Sequence, residues 1–245
     1  MKQTILTVLE NRPLTPTVYR MVLGGDVSAV TTPGQFINIM LDGKFLRRPI
    51  SVCDWNSDSV TILYKVVGCG TEQMSSLSTG TTLDVLTGLG NGFDVSADCQ
   101  TPLLIGGGIG SAPLYRLAKE LIGVGKKSAV VLGFNTKEEV FYTDEFAALG
   151  CPVTVSTADG SFGVKGFVTD AMHGIDYDYF YACGPEAMLK AVYAASKTSG
   201  QISFEERMGC GFGACMGCSC KTVTGYKRIC KDGPVLRKEE ILWDA

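Results

Sequence analysis

The sequence predicts a multi-domain β plus α/β fold. We expect a six-stranded antiparallel β-barrel, then a doubly wound parallel α/β domain, then a small cysteine-rich C-terminal subdomain. Three observations predict this order. Short β-type segments fill residues 1–98, strands alternate with helices over residues 99–203, and residues 208–220 contain four of the ten cysteines. The predicted units are therefore 1–98, 99–203 and 204–245.

The first unit contains six segments in which Val, Ile, Thr and aromatic residues dominate. Turn residues such as Pro33-Gly34 and Asp42-Gly43 separate them. Short strands at this spacing indicate a small antiparallel barrel. Residues 71–78 are the one segment of this unit with a helical pattern. The predicted strands are 3–11, 17–25, 34–41, 47–55, 59–67 and 81–90.

The second unit changes to apolar strands that are followed by helical segments. This alternation is typical of a parallel, doubly wound sheet. The predicted strands are 103–110, 128–134, 152–158, 178–184 and 201–208, and the predicted helices are 112–125, 138–150 and 185–200.

Composition excludes several classes of function. The 245 residues are 45% hydrophobic with a net charge of −3 and contain no basic stripe, so nucleic-acid binding is not expected. No apolar stretch has the length of a signal peptide or a membrane span, so we expect a cytoplasmic protein with reduced thiols. The single histidine, His173, is expected at an exposed helix end, so we expect cofactors to supply the chemistry.

The RRPIS segment is the first candidate binding site. Arg48 precedes Pro49, which cannot donate a ladder hydrogen bond and belongs at a strand end or edge. A guanidinium at this position could hydrogen-bond to a pyrophosphate, and the Ser51 hydroxyl could hydrogen-bond to an adjacent cofactor ring. An ordinary surface Arg-Pro pair is the alternative.

A second phosphate-oriented feature follows at residues 63–71. This strand contains Lys65 and ends in glycines, and Thr71 is expected to cap the helix that follows. The N-terminus of a helix beside a basic residue is an anion site. Together with RRPIS, it predicts a dinucleotide cofactor in the barrel.

Two further segments indicate a second nucleotide site. Gly107, Gly108 and Gly110 lie between a strand and a helix, the right context for a pyrophosphate, although Pro113 stands where a third fingerprint glycine would. A tight turn without a ligand is the alternative. The segment Cys183, Gly184, Pro185 ends a later strand, at the edge where such sheets bind ligands. Cys183 is either an inert thiol or a contact to a nicotinamide ring.

The cysteine-rich segment has the ligand order of a plant-type ferredoxin, Cys210-x4-Cys215-x2-Cys218. Structural zinc usually takes two separated Cys-x2-Cys pairs and fits less well. The fourth ligand is Cys220 or Cys230. We expect Cys230, because a hairpin with its turn near Gly225 can bring this cysteine back to the other three. The scattered cysteines are expected to be structural; they are Cys53, Cys69, Cys99 and Cys151.

These motifs in this order resemble the ferredoxin–NADP reductase superfamily, and most closely the electron-transfer subunits of dihydroorotate dehydrogenase B. The resemblance covers nearly the whole chain. It implies an FAD-binding barrel, an NAD-binding domain and a 2Fe–2S subdomain. The FAD residues that it implies are Arg48, Pro49, Ile50, Ser51, Leu63, Tyr64, Lys65, Gly70 and Thr71, and the cluster ligands are Cys210, Cys215, Cys218 and Cys230. Lys65 stands where relatives often have arginine.

The resemblance also implies a route for electrons. NAD would exchange a hydride with FAD, and a 2Fe–2S cluster would connect FAD to FMN in a separate catalytic subunit that oxidises dihydroorotate to orotate. Two copies of each subunit are expected. Ser51 and Cys183 would lie near the rings. Residues 133–141 contain acidic side chains and no arginine pair, which favours NAD over NADP.

Two alternatives stay open. The same module could serve another assembly, such as a ferredoxin–NADP transhydrogenase or a sulfide dehydrogenase. A zinc-stabilised, nucleotide-binding interaction protein is a possibility of a different class. The tail 231–245 is expected either to pack as a terminal strand or to contact a subunit.

Overall fold

The computed structural model describes residues 1–243, and its N-terminal part is a closed six-stranded antiparallel barrel with the strand order β1-β2-β5-β4-β3-β6. The sequence prediction of a barrel is confirmed. The strands are β1 Lys2–Pro13, β2 Val18–Gly24, β3 Phe36–Ile39, β4 Arg48–Trp55, β5 Ser59–Lys65 and β6 Thr82–Leu89.

The two faces of β3 and β4 have different surroundings. Ile37 and Ile39 pack in the barrel core. Phe36 pairs with Ser51, and Asn38 pairs with Pro49. Because directly opposed residues share a face, these four side chains lie on the outer surface of the barrel. That surface faces the rest of the molecule, since Phe36 belongs to a core cluster shared with the C-terminal segment.

The second part is a seven-stranded sheet in the order β10-β9-β8-β7-β11-β12-β15, parallel except for the antiparallel pair β12–β15. The C-terminal tail therefore supplies an edge strand, as one of the two sequence-based interpretations expected. The strands are β7 Pro102–Gly107, β8 Ala129–Phe134, β9 Val153–Thr157, β10 Val164–Lys165, β11 Tyr179–Cys183, β12 Gly200–Ser203 and β15 Val235–Arg237.

Helices cover both faces of this sheet, which confirms the predicted doubly wound architecture. Helices α2 and α3 pack in one core cluster together with barrel residues, and α4 and α5 pack in a second cluster. The helices are α1 Cys69–Ser75, α2 Ala112–Gly123, α3 Thr143–Ala148, α4 Val168–Ala171 and α5 Glu186–Ala195, with 3-10 turns at Gly108–Ser111, Lys137–Glu139 and Lys238–Glu240. Among the described residues, none of the helices has the length and apolar character to cross a membrane.

The predicted helix 138–150 is wrong in its first half. Only Thr143–Ala148 is α-helical, after a 3-10 turn and an extended Val140. Tyr142 has a φ of 64°, a left-handed conformation that ends any continuous helix. Packing explains it, because Phe141 and Tyr142 are buried in the aromatic cluster of Phe146.

Other boundaries also differ. The last parallel strand ends at Ser203 rather than residue 208, and α5 ends at Ala195 rather than residue 200. Helix α1 begins at Cys69, two residues before the predicted start. Helix α4 corresponds to the helix end that was expected at His173, although the sequence prediction gave that helix no bounds, and the two-residue strand β10 has no counterpart in it.

The cysteine segment leads into a small hairpin, β13 Ser219–Thr222 with β14 Gly225–Arg228. The following segment is tied to the barrel through Asn91, whose Nδ2 donates to the Val235 carbonyl at 2.9 Å. Barrel residues Phe36 and Leu86 share one core cluster with Cys218 and Cys230. The barrel, sheet and hairpin therefore meet around the cysteines.

Candidate functional site

Arg48 begins β4 and lies against the first turn of α1. A Cβ atom added at Gly70 would stand 2.1 Å from Arg48 Nε. Gly70 is therefore what lets the guanidinium approach the helix backbone. Arg48 Nη1 also donates to the Leu46 carbonyl. The structure thus brings together the RRPIS segment and the glycine segment that the sequence singled out separately.

Thr71 supports the same turn from inside the helix. It is buried at the third helical position rather than at the N-cap, because α1 begins at Cys69. Its hydroxyl accepts hydrogen bonds from the backbone N–H groups of Val67 and Gly68, at 2.9 and 3.3 Å, and donates to the Gly68 carbonyl. The expected cap is therefore wrong in position, and Thr71 instead ties the entering chain to the helix.

The segment Leu63, Tyr64, Lys65 presents its side chains in different directions. The Tyr64 ring is 1% exposed in the barrel core, and its hydroxyl donates to Asn11 Oδ1 at 2.8 Å. Leu63 is buried towards the nucleotide domain. Any ligand contact from these two residues would use their backbone. Lys65 is half-exposed and pairs with Glu139, Nζ to Oε1, at 3.5 Å.

The glycine turn after β7 packs directly on the end of β11. A Cβ atom at Gly110 would stand 2.5 Å from the Cys183 carbonyl oxygen, and one at Gly107 would stand 3.0 Å from Pro185 Cδ. Gly108 has a left-handed φ of 51°. The structure therefore joins Gly107, Gly108 and Gly110 with Cys183, Gly184 and Pro185 at the carboxyl edge of the sheet, where doubly wound folds bind ligands.

Cys183 has no features of a nucleophile. Burial raises the pKa of its thiol to about 12, so the group stays protonated at neutral pH. His173 is exposed in the turn after α4. Cys183 therefore stays protonated and His173 lies in an exposed turn, and the arrangement is suited to binding and orienting cofactors.

A polar clamp holds the barrel against the nucleotide domain. Asp54 on β4 accepts hydrogen bonds from Arg116 Nη1 at 3.2 Å and from Lys119 Nζ at 2.8 Å, both on α2. Arg116 also lies 3.9 Å above the Trp55 ring and donates to the Trp55 carbonyl. The clamp thus links the strand of Ser51 to the helix that follows the glycine turn.

Cys210 and Cys215 form one pair in the cysteine loop. The Cys215 backbone N–H donates to Cys210 Sγ at 3.4 Å, and the Cys210 N–H donates to Cys215 Sγ at 3.5 Å. Burial raises the pKa of Cys210, but the N–H groups of Cys215 and Phe212 outweigh it, and the pKa falls to about 6. Backbone amides therefore already stabilise the thiolate that a metal would need.

Cys218 and Cys230 form a second, buried pair. The Cys230 N–H donates to Cys218 Sγ at 3.4 Å, and both residues are 2% exposed. Cys220 instead lines a separate groove with Phe204 and Trp243. Within residues 1–243, no three His, Cys, Asp or Glu side chains converge as the ligands of a single metal ion. Two pairs of thiols fit a two-iron cluster, in which each iron takes two of the four protein ligands.

Two contacts of the cysteine loop were not predicted. Asn38 Nδ2 on β3 donates to the Cys210 carbonyl at 3.2 Å, and Arg228 Nη1 donates to the Gly213 carbonyl at 3.1 Å. Asp232 holds Arg228 in place, since Oδ2 accepts from Arg228 Nε at 2.9 Å. A polar residue at the outward position of the apolar strand FINI was the available signal for Asn38.

Two family models match the chain. Residues 205–242 match the iron-sulfur cluster binding domain of dihydroorotate dehydrogenase B, and residues 104–194 match the oxidoreductase NAD-binding domain.

Curated relatives match over the full length. The chain is 44% identical to a protein of Geobacillus sp. (strain WCH70), over 99% of each chain. It is 46% identical to a protein of Fusobacterium nucleatum subsp. nucleatum, over 98% of this chain and 99% of that protein. Both relatives carry the name dihydroorotate dehydrogenase B (NAD(+)), electron transfer subunit.

Solved structures show the same fold. A chain of an NADH-dependent reduced ferredoxin-NADP oxidoreductase superimposes with a TM-score of 0.90 at 32% identity, covering 98% of this chain and 90% of that chain. A ferredoxin NADP+ reductase from Neisseria gonorrhoeae superimposes with a TM-score of 0.69 at 20% identity, covering 80% of this chain and 90% of that one. The second likeness concerns the fold alone.

Proposed function

We propose a route for electrons from one premise: the chain belongs to the family of electron transfer subunits of dihydroorotate dehydrogenase B. When bound, FAD would exchange a hydride with NAD and single electrons with a 2Fe–2S cluster, in the oxidation of dihydroorotate to orotate. Hydride transfer between stacked rings needs positioning rather than a protein acid or base. The observation that carries the proposal is that contacts between distant parts of the chain assemble each predicted binding segment: Arg48 lies on the Gly70 turn, Gly110 lies on Cys183, and Cys218 pairs with Cys230.

We assign FAD to the outer face of the barrel and to the adjoining start of β4, where Arg48 lies against α1. Arg48 would hold the pyrophosphate with the backbone amides of Gly70 and Thr71, because Gly70 lets the guanidinium lie on that turn. Pro49 and Ser51 lie on the outer face, where a ring could stack. The remaining proposed FAD residues are Ile50, Leu63, Tyr64 and Lys65. Ile50, Leu63 and Tyr64 would act through their backbone, because their side chains pack in the interior.

We assign NAD to the carboxyl edge of the sheet. Gly110 packs on the backbone of Cys183 and Gly184, and Gly107 packs against the side chains of Pro185 and Met188. The glycines therefore let the turn after β7 approach the end of β11, where a nucleotide pyrophosphate would bind. The turn Lys137–Glu139 after β8 carries two carboxylates. A ribose hydroxyl would bond to such a carboxylate, whereas a 2′-phosphate would be repelled, which supports NAD over NADP.

We assign the cluster to Cys210, Cys215, Cys218 and Cys230. Four thiols in two pairs, with amide N–H groups directed at sulfur, are a suitable donor set for two irons. Cys220 is a poorer ligand, because it lines another groove and belongs to neither sulfur pair.

The partner is proposed to be the FMN-containing catalytic subunit, in a heterotetramer with two copies of each chain. The cysteine loop supports a contact there, because Cys215 is exposed and Phe212 and Met216 are 43% and 55% exposed. Apolar side chains around the cluster ligands are suited to a protein interface. The proposed location is the cytoplasm, since ten unpaired cysteines fit a reducing compartment.

The test is an anaerobic visible spectrum of the purified chain during titration with NADH. Flavin bands on a broad iron–sulfur envelope, with both bleaching, are the expected result. A colourless protein that contains zinc and stays colourless after reconstitution with iron, sulfide and FAD would contradict the proposal.

Membership of a different assembly is a second candidate, because a chain of the NADH-dependent reduced ferredoxin-NADP oxidoreductase superimposes with a TM-score of 0.90. The higher identity to the dihydroorotate dehydrogenase B subunits favours the first candidate. Dihydroorotate-dependent NADH formation by the chain with its catalytic partner, and no reduction of NAD by reduced ferredoxin, would separate the two.

A further inference from the structure

Asn38 occupies a position where barrel packing alone would favour an apolar residue. It lies on β3, whose four residues are all buried, and is itself 1% exposed. Its Nδ2 donates to the Cys210 carbonyl at 3.2 Å, while its Oδ1 has no hydrogen-bond partner within residues 1–243. A buried polar atom without a hydrogen-bond partner destabilises the folded protein. An amide at this position therefore indicates a role beyond packing.

Asn38 connects two parts of the proposed electron route. It pairs directly with Pro49 and shares the outer face of the barrel with Ser51. Its side chain reaches the backbone of Cys210, 172 residues away in sequence. Asn38 thus lies between the proposed FAD surface and the first cysteine of the cluster loop.

The cysteine loop is shaped to receive this side chain. Gly211 has a φ of 78°, and a Cβ atom there would stand 2.4 Å from Asn38 Nδ2. On the other side, Arg47 Nη1 donates to the Asn38 carbonyl at 3.4 Å and to the Asp84 carbonyl at 2.9 Å. These contacts hold β3 and the cysteine loop in place at the point where the two meet.

We propose that Asn38 is a positioning residue that fixes the Cys210 end of the cysteine loop against the flavin-facing surface of the barrel. It thereby sets the separation across which electrons pass between flavin and cluster. Arg228 cannot supply this link, because it belongs to the same subdomain as the loop that it contacts. This inference rests on the proposed function, since it requires FAD at Ser51 and a cluster at Cys210.

The first test uses Asn38→Leu and Asn38→Asp in the FAD- and cluster-loaded chain. The matched control is Thr87→Val, because Thr87 is an equally buried polar residue of the barrel that donates to the Lys2 carbonyl instead. Rapid anaerobic mixing with NADH gives the rates of flavin and cluster reduction, and electron paramagnetic resonance gives the cluster spectrum and potential.

We expect flavin reduction by NADH at the wild-type rate in all three variants. Cluster reduction should slow by about tenfold or more in both Asn38 variants, with an altered resonance spectrum, as for other residues that orient a metal ligand. Thr87→Val should match wild type in both. A merely structural role for Asn38 would lower the melting temperature and leave the spectrum unchanged.

The second test approaches the same contact from the loop. Gly211→Ala places a methyl group against Asn38, whereas Gly225→Ala introduces left-handed backbone strain in the hairpin turn but has no atom within 4 Å of the added Cβ. We expect slow cluster reduction in Gly211→Ala and a much smaller change in Gly225→Ala. If Asn38→Leu does not fold, the comparison of these two glycine variants still tests the inference.

Wild-type cluster spectra and cluster reduction rates in Asn38→Asp and Gly211→Ala would overturn the inference. Failure of the proposed function looks different, because the wild-type chain would then show no NADH-reducible cluster at all, and the inference would fall with it.

Discussion

At the scale of single residues, Arg48 is the side chain on which FAD retention should depend most. Arg48→Ala removes a charged fork whose hydrogen bonds are worth about 2 kcal/mol, or about 30-fold in the dissociation constant. Flavin content after gel filtration and titration of the stripped protein with FAD measure the change. Arg12→Ala, at an exposed arginine paired with Glu10, is the control and should bind FAD normally. Full flavin occupancy in Arg48→Ala would contradict the assigned site.

The cysteines give a second prediction at this scale. Cys215→Ser should lose the 2Fe–2S cluster and keep FAD, because its sulfur belongs to the loop pair and not to the barrel. Cys220→Ser should keep both, since Cys220 faces a separate groove. Iron and sulfide content per flavin are the measurement. Loss of iron in Cys220→Ser with retention in Cys230→Ser would reverse the ligand assignment.

At the scale of elements, the first turn of α1 should tolerate no side chain at Gly70. Gly70→Ala would drive a methyl group into Arg48 and so release FAD, by an amount similar to Arg48→Ala. Gly68→Ala, two residues earlier at the N-cap of α1, is the matched control, because its φ is −178° and no atom lies within 4 Å of the added Cβ. Equal flavin binding by both variants would show that the turn does not shape the site.

The ion pairs between Asp54 on β4 and two basic residues of α2 give a second prediction at this scale. Asp54→Asn weakens two ion pairs of partly exposed side chains, so the loss of stability should be small, about 1 kcal/mol. Because the clamp sets the nucleotide domain against the FAD strand, NADH-dependent flavin reduction should slow while FAD content stays normal. Glu186→Gln, at an exposed pair with Lys190, should change neither.

Elements that form through interactions between neighbouring residues can be predicted from the sequence, whereas contacts between residues far apart in the chain cannot. The barrel strands follow from local alternation and turn glycines, and the cysteine spacing defines the loop pair. The helix at 138–150 was wrong because Tyr142 adopts a left-handed φ to bury its ring. The contact of Asn38 with Cys210 spans 172 residues, and no local pattern encodes it.

At the scale of the whole molecule, a series of contacts joins the three units from the sheet edge to the cysteine loop. The glycine turn meets β11, the clamp joins that domain to β4, and Asn38 joins the barrel to Cys210. The central claim is therefore that electrons cross the chain without its partner.

The most direct measurement of this claim is electron paramagnetic resonance of the isolated chain, frozen at intervals after anaerobic mixing with NADH. A reduced-cluster signal that appears after the flavin has bleached, and that is absent from Cys215→Ser, is the predicted result. Flavin that bleaches fully while an intact oxidised cluster stays oxidised in the wild-type chain would contradict the account.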